Sequence, residues 1–222
     1  MDTIPIKGTP HMTGIAQTKS KGGPSVLLFR VAGLGAFSSA AVLIAVIFSQ
    51  FITLDNQLAE ILIFVAPLLL IPVVPALHSL HRSFAPRLSF AAALIGMAGI
   101  LPIVLALFLR VVFQLLGVFE LSAQSTNTVF VSFAGFTSLI GVWICLASIL
   151  SYVSRQLPAA ISFSGVLAGA TWMIVMGGAV LNSLQPSTYM ALTVLLSVNL
   201  LLWIASHLVW TTALGIWLLT RR

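Results

Sequence analysis

Side chains able to do chemistry are few in this sequence, and most lie inside long apolar runs. Arg110 is followed one helical turn later by Gln114, and Glu60 stands in the preceding apolar run. Ionisable groups in such surroundings are costly, and a guanidinium facing a carboxylate could hold an anion or gate a solute path. Ser164 and His207 supply a nucleophile and a base that could form a dyad. Asn199, Trp203, Ser206, His207, Trp210 and Trp217 fall within an arc of about 100° on a helix advancing about 100° per residue. That polar and aromatic stripe could line a pocket for a flat, quinone-like or porphyrin-like molecule, with His207 as hydrogen-bond donor or ligand.

Each candidate also has a purely structural reading. Arg110 sits roughly 10 Å before Gly117 along a helix, close enough to an end to reach the headgroups. The tryptophans could pack against neighbours or lipid, Trp217 serving as an interfacial anchor, with Asn199 and Ser206 as hydrogen bonds between helices. Paired with His207, His78 and His81 could bind haem or a metal, but two histidines three residues apart with no nearby carboxylate are a weak metal signal, and no metal site is assigned. With Arg82 and Arg87 they read instead as an interfacial cluster facing lipid phosphates. Cys145 has no second cysteine to pair with and reads as a small packing residue.

The elements that position these groups follow from composition. Of 222 residues, 59% are hydrophobic and 6% charged, against about 25% charged in soluble domains. A helix crosses the hydrocarbon core with ~20 apolar residues. Six such stretches are expected, at about 26–50, 58–80, 89–117, 128–153, 158–182 and 188–219. The fold class is therefore all-α, a polytopic membrane protein with six transmembrane helices in one bundle over 25–222. Pro67, Pro72 and Pro75 should kink or open the second helix, since each removes a backbone donor. Gly165 and Gly169 give the fifth a GxxxG spacing that admits a close neighbour, within the chain or in a homo-oligomer.

Charge orients the bundle. Lys7, Lys19, Lys21 and Arg30 precede or open the first span, Arg82 and Arg87 fill the second loop, Arg155 the fourth, and Arg221 and Arg222 close the chain. Asp55, Glu60 and Glu120 occupy the other side. Cationic residues accumulate on the cytoplasmic flank, so both termini are expected there. The first apolar run is too long for a signal h-region and is expected to remain as a helix. Residues 1–24 read as a disordered basic cytoplasmic tail. No lipidation motif is present. The net charge of +6 follows from this sidedness. It points to membrane lipids as partners and not to nucleic acid.

Two resemblances attach to particular residues. Ser164-Gly165-Val166-Leu167-Ala168-Gly169 followed by Ser206-His207-Leu208 resembles the serine and histidine segments of rhomboid intramembrane proteases, with Ser162 in place of a glycine and no His-x-x-x-Asn segment in the early spans. Glu60 to Ile100, with its His78-Ser79-Leu80-His81-Arg82 turn, is similar to an uncharacterised family of six-helix bacterial membrane proteins, domain of unknown function 4386. So is Gly141 to Trp172, with its Tyr152-Val153-Ser154-Arg155-Gln156-Leu157-Pro158 turn. Ala159 stands where that family carries a second basic residue. This resemblance implies a six-helix bundle in the bacterial plasma (inner) membrane and no activity.

The expected function is a membrane-embedded binding or accessory protein for a lipid-like or apolar small molecule, with no cofactor identified. A small-solute transporter would use Arg110, Glu60, Gln114 and the proline-broken second helix. An intramembrane hydrolase would use Ser164 and His207.

Overall fold

Prolines and turn chemistry set the helix ends near residues 67–86 and 153–159. The computed structural model describes residues 26–51, 62, 65–115, 123–184 and 189–221. The helices are α1 (Val26–Phe51), α2 (Val73–His81), α3 (Pro86–Leu115), α4 (Ala123–Val153), α5 (Ala159–Leu184) and α6 (Tyr189–Thr220). All except α2 are long and apolar enough to cross a membrane, and α2 is the end of a shorter apolar helix running Val65–His81. The chain is an integral membrane protein with several apolar spans. The residues before 26 and the first part of the expected second span lie outside the described ones.

Each helix packs on its neighbours in sequence, α6 returns to α1, and α2 also touches α4. The ring so closed has a dense interior: Trp143 and Trp210 are each 1% exposed, and Ile100, Leu214 and Leu218 are fully buried. Leu27, Phe163 and Leu201 are more than two-thirds exposed and face the surroundings. In water such a surface would be a liability, whereas in lipid it is the solvated face.

The second helix is broken, and the hydrogen bonds show where. Leu70 N donates to Pro67 O at 3.0 Å, Ile71 N to Leu68 O at 3.1 Å and Val73 N to Leu70 O at 2.9 Å. These are the i→i+3 bonds of a 3₁₀ segment, and Pro72, in the middle, has no N–H to give Leu68 O. Ala66 O thereby loses the Leu70 donor it would have in an α-helix. Ser39 on α1, wholly buried, replaces it: its Oγ donates to Ala66 O at 3.0 Å. Gly35, one turn earlier on α1, lets the helices close, because a Cβ there would collide with Leu69 O and stand 3.0 Å from Pro72 Cγ. A neighbouring hydroxyl thus satisfies the backbone that proline frees.

The α4–α5 turn is equally specific. Gln156 N donates to Ser151 O at 3.1 Å and Arg155 N to Tyr152 O at 3.2 Å, the paired bonds of a Schellman cap. Arg155 holds the left-handed position (φ 54°) where glycine is usual. Pro158 then opens α5, its carbonyl accepting from Ile161 N at 3.0 Å and Ser162 N at 3.1 Å.

The GxxxG face of α5 is taken up within the chain. A Cβ on Gly165 would meet Ser148 Oγ and the Trp210 indole, and one on Gly169 would stand 2.5 Å from Gly141 O. Backbone meets backbone where α4 crosses α5. Cys145 packs at the same crossing, its Sγ 3.4 Å from Val166 O.

Candidate functional site: the aromatic face of the last helix

The stripe on α6 turns inward. Asn199, Ser206, His207 and Trp210 are buried and Trp203 half-buried. The polar members tie α6 to α5: Asn199 Nδ2 donates to Thr171 O at 2.9 Å, and the Thr171 and Ser206 hydroxyls stand 3.5 Å apart. Thr171 also returns a bond to Leu167 O at 2.7 Å. These contacts are the interhelical hydrogen bonds that membrane helices use in place of a hydrophobic driving force.

The aromatic members form a file of rings through the bundle. Trp172 and Trp203 centroids lie 4.5 Å apart, Trp203 and His207 5.6 Å, His207 and Trp210 6.0 Å, and Trp210 and Trp143 6.3 Å. Trp143 on α4 and Trp172 on α5 were not singled out from the sequence, because a single tryptophan in an apolar run has no period to betray it. Trp172 is anchored by its indole N–H, which donates to Thr137 O at 2.6 Å.

Two nitrogens in this file are left over. Trp203 Nε1 and His207 Nδ1 are buried and have no hydrogen-bond partner among the described residues. They lie one turn apart on the same face, which sets their Cβ atoms roughly 6 Å apart. An indole nitrogen can only donate, while a neutral imidazole nitrogen donates or accepts. Buried indole N–H groups are normally paired, and one left unpaired in an apolar setting costs on the order of 1–3 kcal/mol. An acceptor would satisfy the indole N–H, and the imidazole nitrogen would take either a donor or an acceptor according to its tautomer.

Ser164 Oγ donates to Ile161 O at 2.9 Å on its own helix. A Cβ on the neighbouring Gly165 would meet the Trp210 indole. Glu60 lies outside the described residues; Arg110 and Gln114 have their backbone in α3, and their side chains lie outside the described ones. Among the described residues no three His, Cys, Asp or Glu side chains gather as a metal site would need.

His78 and His81 do not form the lipid-facing cluster expected of them. His81 is 1% exposed and its Nε2 lies 2.8 Å from Ser151 Oγ on α4. Ser151 spends its own proton on Ala147 O at 2.7 Å, so His81 Nε2 carries the hydrogen. His78 Nδ1 lies 2.9 Å from Ser89 Oγ on α3. His81 pins the α2–α3 turn to the end of α4, while His78 braces that turn onto α3, and a pairing over 70 residues leaves no sequence signal. Arg82, Arg87 and Arg155 are the exposed members of that end.

At the chain's far end Arg221 lies between two rings, its Cζ 4.7 Å from the Trp217 centroid and 5.1 Å from that of Phe29 on α1. Burial lowers its guanidinium from the usual range. Trp217 thus serves to hold Arg221 over α1. Comparison with protein-family models, curated proteins and solved structures gives no match for this chain.

Proposed function

We propose that this membrane protein binds an apolar, lipid-like small molecule bearing a hydrogen-bonding oxygen, held against the α6 face by Trp203 and His207. The observation that supports the reading is the pair of buried, unpartnered nitrogens one turn apart on an aromatic stripe. Evolved interiors seldom leave such groups unsatisfied, and each one left so calls for a specific explanation, which a bound polar atom would supply. Asn199, Ser206 and Trp210 then hold α6 in place through Thr171, Gly165 and Trp143. The arrangement offers binding groups and no activated nucleophile, so a binding or accessory role fits better than hydrolysis.

The topology that goes with this reading places both termini and the two histidine- and arginine-bearing turns in the cytoplasm, from the distribution of Lys and Arg. Kinship with the uncharacterised six-helix bacterial family would add the bacterial plasma membrane as its location.

The test is substitution that keeps the ring and deletes the nitrogen: Trp203→Phe and His207→Phe. Each should abolish a compound that is extracted stoichiometrically with the wild-type protein, while stability in ligand-free micelles stays equal or rises. Loss of stability with no change in the extracted compounds would contradict the proposal and make both nitrogens packing groups.

A further inference from the structure

We infer that the α4–α5 turn carries a headgroup site for an anionic phospholipid, with Arg155 and Tyr152 binding the phosphate. This site lies apart from the aromatic face and does not rest on the function proposed for it. An open cavity of about 470 Å³ is lined by Tyr152, Val153, Arg155, Leu157 and Ala159, within the 300–1,000 Å³ range of small-molecule sites. Its walls are divided in the manner of an amphiphile. Val153, Leu157 and Ala159 are apolar, whereas Tyr152 and Arg155 bring a phenol and a guanidinium.

Position fits the same occupant. Tyr152 is 62% exposed in the last turn of α4, where a spanning helix meets the headgroups and tyrosine is enriched. Arg155 lies just beyond the helix end, in a left-handed conformation that favours glycine. An arginine there sets a planar fork of donors beside the groove, matched to the oxygens of a phosphate. The His81–Ser151 hydrogen bond brings the α2–α3 turn alongside, with Arg82 and Arg87 exposed on it.

Charge selects the class of lipid. The chain has four acids, Asp2, Asp55, Glu60 and Glu120. All four lie outside the described residues, and none lines the groove. The groove therefore offers a counter-charge for phosphate and none for the ammonium of a zwitterionic headgroup. A phospholipid whose net charge sits on its phosphate, such as phosphatidylglycerol, satisfies the groove fully.

The test is native mass spectrometry of the full chain in micelles, titrated with phosphatidylglycerol or phosphatidylcholine of matched acyl chains. A charge-assisted contact of this kind corresponds to roughly tenfold in affinity, and wild type should prefer phosphatidylglycerol by about that factor. Arg155→Gly should erase the preference without lowering the melting temperature, because glycine suits that backbone position. Arg155→Asn, also tolerant of it, should do the same. Tyr152→Phe should weaken phosphatidylglycerol binding by roughly threefold, as expected for one neutral hydrogen bond. Arg87→Gln, which does not line the groove, should leave the preference intact. Equal binding of the two lipids by wild type, or an undiminished preference in Arg155→Gly, would overturn the inference. Displacement of the lipid by an equal concentration of glycerol 1-phosphate would overturn it too, since the groove would then be a site for small phosphates.

Discussion

Replacing Ser39 with alanine is the sharpest test of how the broken second helix is held. In wild type the Ser39 hydroxyl is the donor at Ala66 O, at 3.0 Å, after Leu70 N has turned to Pro67 O. Removing it leaves a buried carbonyl unpaired. The general cost of that is about 1–3 kcal/mol, but hydrogen bonds between membrane helices average about 0.6 and reach about 1.7 kcal/mol. Since Ser39 is wholly buried, the upper part of the membrane range applies, and we expect a loss of about 1–1.5 kcal/mol. The mechanism is separable from simple packing by a double-mutant cycle with Pro72→Ala. That change restores an N–H opposite Leu68 O and lets the segment rewind, so Leu70 N can return to Ala66 O. In the rewound background Ser39→Ala should cost less, with a coupling energy of at least ~0.5 kcal/mol. The assay is reversible unfolding in mixed micelles, followed by tryptophan fluorescence. Additive behaviour in the cycle, or a single-mutant effect under ~0.3 kcal/mol, would refute the reasoning.

Other perturbations have equally definite outcomes. Gly35→Ala drives a Cβ into Leu69 O and should destabilise more than Ser39→Ala in the same unfolding assay. Trp172→Phe deletes the N–H donated to Thr137 O and should cost about 1 kcal/mol, while Trp217→Phe, which keeps a ring under Arg221, should cost less. Arg221→Gln removes the cation held over Phe29 and Trp217 and should lower stability by about 1 kcal/mol, with Arg221→Lys in between. A cysteine at Ser83 in a Cys145→Ala background should react with an impermeant maleimide only when the cytoplasmic face is exposed.

What the sequence made legible is what repeats along one helix. Apolar length marked α1 and α3 to α6 as helices able to cross a membrane, and the prolines marked where α2 would fail. The α6 stripe was visible because Asn199, Trp203, Ser206, His207 and Trp210 share a face of one helix, and that face is the buried one. Pairings between helices were invisible. Ser39 with Ala66 and His81 with Ser151 join residues far apart in sequence. Without them the histidines looked like surface groups, as basic neighbours such as Arg82 suggested. The turn at Arg155 was legible but its geometry was not: the left-handed cap ordinarily announces itself by glycine, and here an arginine holds it.

The central claim, that Trp203 and His207 hold a ligand, is tested most directly by native mass spectrometry of the wild-type protein in lipid nanodiscs, with an absorption spectrum of the same sample. A ligand held there should appear as one stoichiometric mass increment from a non-bulk apolar compound, retained under conditions that strip bulk lipid. Bare protein carrying only exchangeable bulk lipid, with no chromophore, would contradict it.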